Sequence, residues 1–239
     1  MISYAITDVG IKRKINQDTV YATDSSIGNL PNLYIVADGM GGELAGDYAS
    51  AKCVETVVDS ITKSNESEPV KILEQAIQTA NQVINEESVL DPKKNGMGTT
   101  LVIATALEGH LYVANVGDSR LYVANSKKLL QITKDHSVVA ELVRTGELDE
   151  DDARTDRRKN MITRAIGAEK KIVPDYFDVL IKGGERILLC SDGLTNMIED
   201  KDIYSIIVSE GSLQDRAERL IQTANDNGGK DNISVVIIE

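Results

Sequence analysis

Long apolar runs are missing from this chain. No stretch of about 18 consecutive apolar residues occurs among its 239 residues, so a membrane span is not expected. The opening MISYAITDVG has no basic n-region and reads as a strand, which argues against a secretory signal. Cysteine is scarce: Cys53 and Cys190 are the only two, each within apolar sequence. They suit two reduced core thiols in the cytoplasm better than a disulfide scaffold. Positive charge is in deficit, with a formal net charge of −12. Such a surface repels phosphate backbones and argues against nucleic acid as a partner; any phosphate the chain handles must be held by local cations. No internal repeat, low-complexity tail or linker interrupts the chain. Residues 1–239, 41% hydrophobic, are therefore read as a single domain with one sizeable core.

Helical spacing is present in three places. Leu44, Tyr48, Ala51, Val54, Val58 and Ile61 recur at three- and four-residue steps, as do Val70, Leu73, Ile77, Ala80 and Ile84. Leu213, Ala217, Leu220, Ile221 and Ala224 repeat the pattern near the C-terminus. The polar stretch 64–69 between the first two reads as a loop. Strand-like runs are more numerous: 3–7, 32–37, 99–107, 111–116, 119–124, 129–133, 176–181, 186–190 and 233–238. Turns as short as Glu108-Gly109 and Asn125-Ser126-Lys127 permit antiparallel pairs and exclude parallel crossovers there. With helices in blocks, the expectation is α+β: antiparallel sheets covered by helices. The charged segment 146–160 reads from composition as a solvated helix and loop.

Several of these strands end on a carboxylate. Tyr34-Ile35-Val36-Ala37 runs into Asp38-Gly39, Val116 leads through Gly117 to Asp118, Cys190-Ser191 leads to Asp192-Gly193, and Gly229-Lys230-Asp231-Asn232 opens the last strand. Singly, each is an ordinary turn signal. Should all four converge, about four negative charges share one partly desolvated place, where they must protonate or bind cations. Carboxylates without His or Cys favour Mg²⁺ or Mn²⁺, and two divalent ions roughly neutralise four of them. Neighbouring glycines let backbone carbonyls approach such ions. Arg13, in GIKRKINQD, supplies a guanidinium able to hold two phosphate oxygens; its plainer reading is a surface Arg between two lysines.

Taken in order, Arg13-x-x-Asn16-x-Asp18, Asp38-Gly39-Met40-Gly41-Gly42, Gly117-Asp118-Ser119-Arg120, Ser191-Asp192-Gly193 and Gly229-x-Asp231-Asn232 resemble the motifs of metal-dependent protein phosphatases. This is the PPM, or type 2C, family, and its bacterial serine/threonine branch in particular. The resemblance spans nearly the whole chain. It implies an α-β-β-α four-layer sandwich of two antiparallel sheets flanked by helices. It implies a two-metal centre (Mn²⁺ or Mg²⁺) at Asp38, Asp192 and Asp231, with the Gly39 carbonyl as a further ligand and Asp18 acting through water. Arg13 would bind the substrate phosphate, and Asp118 with Asp192 would hold a third metal. Residues 137–166 would form a mobile flap beside the site. The implied activity is hydrolysis of phosphoserine and phosphothreonine in proteins by a metal-activated water. Implied with it are a signalling role opposing a serine/threonine kinase, cytoplasmic location and a monomeric state.

Some positions depart from that pattern. Met40 stands where eukaryotic relatives often carry His, Glu43 where bacterial relatives commonly have His, and Thr155-Asp156 where their flap often has His-Pro. None is an implied metal ligand. With no His in place, the leaving oxygen's proton is expected from water. Other chemistries fail on spacing: a cysteine phosphatase needs Arg six positions after Cys, but Cys53 leads to Asp59 and Cys190 to Asn196. Asp135, His136 and Ser137 are sequence neighbours and cannot form a triad; they read as a helix N-terminus capped by Asp135 or Ser137. No dinucleotide or Walker loop is complete, and the calcium-loop spacing is absent. The alternative from another class is a non-catalytic phosphoprotein-binding adaptor on the same fold. Such a module is expected to have lost metal-site aspartates, which this chain retains.

Overall fold

Along Leu33-Tyr34-Ile35-Val36-Ala37 successive side chains are all buried but in different cores. Leu33, Ile35 and Ala37 pack in a cluster with helical residues, while Tyr34 and Val36 pack in a cluster with residues of a second sheet. This is the two-fold alternation of a strand with both faces covered. The computed structural model describes residues 1–41 and 45–239, apart from the side chains of Glu150 and Asp151. Gly42, Glu43 and Leu44 of the sequence readings lie outside the described residues.

The strands in chain order are β1 (Ser3–Asp8), β2 (Asp18–Thr23), β3 (Leu33–Met40), β4 (Gly98–Thr99), β5 (Leu101–Leu107), β6 (His110–Val116), β7 (Arg120–Ala124), β8 (Leu129–Gln131), β9 (Asp175–Leu180), β10 (Arg186–Cys190) and β11 (Ile233–Ile238). The helices are α1 (Gly46–Lys63), α2 (Pro69–Leu90), α3 (Val138–Thr145), α4 (Glu150–Ala153), α5 (Asp192–Thr195), α6 (Asp200–Val208) and α7 (Leu213–Asp226). One sheet has the order β1-β11-β10-β7-β8; the other runs β2-β3-β5-β6-β9, with β4 paired to β3. Every described pairing is antiparallel.

Three apolar cores give four layers. Leu33, Ile35, Leu101 and Ile103 pack with Val57 and Ile61 of α1 and Leu73 and Ile77 of α2. Between the sheets, Val36, Val102 and Val113 meet Leu121, Leu189 and Val236. On the far side, Leu188, Val235 and Ile237 pack with Ile203 and Ile207 of α6 and Leu220 of α7. The chain is thus an α-β-β-α sandwich of the α+β class. Both cysteines are buried and free, and burial pushes the Cys53 thiol up to about 12.

Two differences from the sequence reading bear on the site. The run 99–107 is not one strand: Thr100 separates β4 from β5, and its N–H donates to the Asp38 carbonyl at 2.8 Å. β2 adds a strand beside β3. The expected helix N-terminus after Asp135-His136 is present. Ser137 caps α3 by accepting from the Ala140 N–H at 3.2 Å, Ser137 bridges Ile162, and Thr99 bridges Ile166. Within the charged stretch, only Glu150–Ala153 is helical.

Candidate functional site

The strand ends carrying the acidic residues meet at one edge of the sandwich. Asp18 opens β2 directly opposite Asp38 on β3. Asp118 follows Gly117 in the turn between β6 and β7, where φ at Gly117 is +102° and an added Cβ would lie 2.6 Å from Thr100 Cγ2. Asp192 begins α5 immediately after β10 and Ser191. A Cβ on Gly193 would stand 1.9 Å from the Asn232 carbonyl oxygen, so glycine lets this turn lie against the residue next to Asp231. Gly39 similarly lies against the Gly46 carbonyl, 1.9 Å from where its Cβ would be.

These elements line a pocket of about 720 Å³ that contains Asp38, Gly39, Asp118, Asp192, Asp231 and Arg13. Asp18 does not line it; it sits behind, 7% exposed. The sequence-derived residues are therefore brought together, with Asp18 in a second row. Met40 also faces the pocket. Thr155 and Asp156 lie away from its lining, with Asp156 held by Arg158 at 2.8 Å.

The electrostatics show what this proximity costs. Burial first, then repulsion from Asp192 and Asp231, pushes Asp18 up to about 7, against hydrogen bonds that oppose the shift. Burial and the charges of Asp18, Asp192, Asp118 and Asp231 hold the Asp38 carboxyl well above the usual range. Burial and Asp192 raise Asp118 to about 8; burial and Asp231 raise Asp192 to about 6.

The carboxylate oxygens are only partly satisfied. Ser191 Oγ donates to Asp18 Oδ2 at 2.7 Å, Asn196 Nδ2 to Asp192 Oδ2 at 2.8 Å, and Arg13 Nη2 to Asp231 Oδ2 at 2.7 Å. Asp18 Oδ1 and Asp192 Oδ1 are buried with no partner. Orphaned anionic oxygens in a buried, all-oxygen donor set fit hard divalent cations. Among the described residues, no three His, Cys, Asp or Glu side chains already form a closed cage. Ser191, Asn196 and Arg13 each hold one oxygen of these carboxylates, which leaves the other for an ion.

Sequence reasoning passed over the residues that support this arrangement. Asn232 is 3% exposed and clamps the Arg13 loop. Its Nδ2 donates to the Val9 and Ile15 carbonyls at 2.9 and 3.0 Å, and its Oδ1 accepts from the Gln17 N–H at 2.9 Å. The dipeptides Asp231-Asn232 and Ser191-Asp192 were the available signals. Neither histidine lines the pocket. His136 is 5% exposed, and its Nδ1 accepts from the Gly117 N–H at 3.1 Å. His110 pairs with Asp178 on the far end of β6.

Comparison with known proteins agrees with this geometry. The family described as protein phosphatase 2C matches residues 13–233. The chain is 41% identical over 237 residues to a serine/threonine phosphatase stp of Listeria monocytogenes, covering 98% of this chain and 93% of that one. The crystal structure of serine/threonine phosphatase Stp1 from Staphylococcus aureus superposes with a TM-score of 0.92 at 35% identity, over 99% of this chain and 94% of that one. The catalytic domain of serine/threonine protein phosphatase PstP, solved in complex with two manganese ions, gives 0.87 at 31% identity, over 99% and 96%. Sequence and architecture agree along nearly the whole length: the chain belongs to the protein phosphatase 2C family and is a phosphoprotein phosphatase rather than an adaptor.

Proposed function

We propose that this chain hydrolyses phosphoserine and phosphothreonine in proteins with the aid of two divalent cations, Mn²⁺ or Mg²⁺. The observation that carries the proposal is the convergence of Asp38, Asp118, Asp192 and Asp231 on one pocket facing Arg13, with two orphaned carboxylate oxygens beneath. Asp38, Asp192, Asp231 and the Gly39 carbonyl would hold the pair of ions, with Asp18 engaged through water. Asp118 with Asp192 would hold a third. When bound, such ions activate water at neutral pH and offset charge on phosphoryl oxygens, the principal barrier to a very slow reaction. The manganese-bound PstP domain supports this reading of the cofactor.

The chain's own residues orient the substrate. Arg13 lines the pocket from a loop pinned by Asn232, and its guanidinium would take two phosphoryl oxygens in exchange for the Asp231 carboxylate. Charge-assisted donors of this kind stabilise the charge that develops on those oxygens. No imidazole lines the pocket among the described residues, so the leaving oxygen takes its proton from water there. Segment 137–166 is the flap in this reading, packed beside the site within one catalytic unit spanning residues 1–239. Family resemblance supports opposition to a serine/threonine kinase; the free buried thiols support a cytoplasmic setting. The acidic surface supports a monomer. Among the described residues, no helix is long and apolar enough to cross a membrane.

The test is hydrolysis of a phosphothreonine peptide and of p-nitrophenyl phosphate with Mn²⁺, with and without chelator. Turnover that requires the metal and is lost in Asp192→Asn supports the proposal. Turnover indifferent to the metal, or none at all, would overturn it.

A further inference from the structure

Among the described residues, the exposed part of the pocket lining carries charge of one sign. Lys12, Arg13, Lys14, Ile15 and Asn160 are its exposed members, and among the described residues no exposed carboxylate joins them. Every lining aspartate is buried or half-buried. This runs against the whole chain, whose net charge is −12. Neither lysine forms an ion pair among the described residues, whereas Lys63, Lys71 and Lys201 are paired with carboxylates within four residues of them.

The loop bearing these lysines is anchored. The N–H groups of Ile11 and Lys12 both donate to the Gly229 carbonyl, at 2.8 and 3.0 Å, and Asn232 holds Val9 and Ile15 on either side. Two ammonium groups therefore project from a fixed backbone, one before and one after the arginine assigned to the phosphoryl group. Half-buried Ile162 and Met40 line the same pocket and offer apolar surface to the stem of a bound segment.

We propose that Lys12 and Lys14 are specificity-determining residues that select phosphoprotein segments bearing Asp or Glu beside the phosphorylated residue. This rests on the phosphatase reading above. Unpaired cations at the mouth steer an acidic segment toward the pocket against the repulsion of the remaining surface, and then pair with its side chains. Solvent-exposed pairs of this kind give modest discrimination that salt weakens.

The test uses the full chain loaded with Mn²⁺ and three phosphothreonine peptides that differ only in the two residues flanking the phosphothreonine: acidic, neutral or lysine. We expect kcat/KM for the acidic peptide to exceed that for the lysine peptide by about three- to tenfold, chiefly through KM. The preference should shrink when salt rises from about 0.05 to about 0.5 M. The double variant Lys12→Glu/Lys14→Glu should invert it. Lys127→Glu/Lys128→Glu, the same charge change on the exposed turn between β7 and β8, should leave it intact. Equal kcat/KM for all three peptides, or an inversion produced equally by the turn variant, overturns the proposal while leaving the phosphatase reading standing. Hydrolysis of none of the peptides overturns the phosphatase reading and this proposal with it.

Discussion

The Asn232 carboxamide donates to the Ile15 carbonyl at 3.0 Å, joining the start of the last strand to a loop 217 residues earlier. With its bonds to Val9 and Gln17 it makes three hydrogen bonds from one buried side chain. Asn232→Ala should leave buried backbone groups unpaired and cost about 1–3 kcal/mol. Because the loop carries Arg13, kcat/KM should fall by about tenfold. Asn232→Asp should behave alike, since a carboxylate cannot donate to the two carbonyls. Urea midpoints and steady-state kinetics check both; unchanged values would mean the Gly229 contacts hold the loop alone.

Asp192 shows the opposite trade. One of its oxygens is orphaned and its charge is opposed by Asp231, so it weakens the metal-free fold. Asp192→Asn should lower kcat by about 10³-fold, the order of loss when a main electrostatic contributor is removed. The same variant should melt several degrees higher than the parent in chelator at pH 8. Loss of both activity and metal-free stability would show that Asp192 is structural.

How much of this was legible in sequence depends on the kind of signal. Strands such as Leu33–Met40 and Ile233–Ile238 announce themselves through dense β-branched and apolar residues. The aspartates stood out because each interrupts such a run. Asp18–Thr23 escaped notice although Ser3–Asp8 and Leu129–Gln131, no longer and as half-buried, were legible. Asp200–Val208 is a short helix that opens on DKD, too little periodicity to read. Asn232 and Ser191 stood within the quoted motifs, but their supporting role, like that of Asn196, was silent: amides and hydroxyls act through partners that only the fold supplies. Ser191 lies 173 residues from the Asp18 carboxylate it serves.

His136 links the turn that carries Asp118 to the segment beyond β8. Its Nδ1 accepts from Gly117, its Nε2 is 3.3 Å from Asp175 Oδ2, and its carbonyl accepts from the Thr163 N–H at 2.7 Å. Burial pulls its pKa below the ordinary value. His136→Phe should orphan the Gly117 N–H and cost about 1–3 kcal/mol, while leaving both limbs of the pH–rate profile in place. Loss of the basic limb with a folded protein would instead identify His136 as a proton donor.

Metal-free stability should depend on pH in a direction unusual for carboxylates. Asp18, Asp118 and Asp192 are raised from 3.8 to about 7, 8 and 6 in the folded chain, and Asp38 is raised as well. Between those limits the native state binds more protons than the unfolded chain, so the slope of unfolding free energy with pH is negative. The contribution of these groups is fully present below about pH 4 and is lost as pH rises through their folded values. In chelator the melting temperature should therefore decline from pH 6 to pH 8. Mn²⁺ binds only the ionised, folded site and should reverse that decline, with a gain that grows with metal concentration. Thermal melts across this range with chelator and with Mn²⁺ measure both effects. A chelated protein equally stable at pH 6 and pH 8, and unmoved by Mn²⁺, would mean that the acidic residues do not share a common ion site.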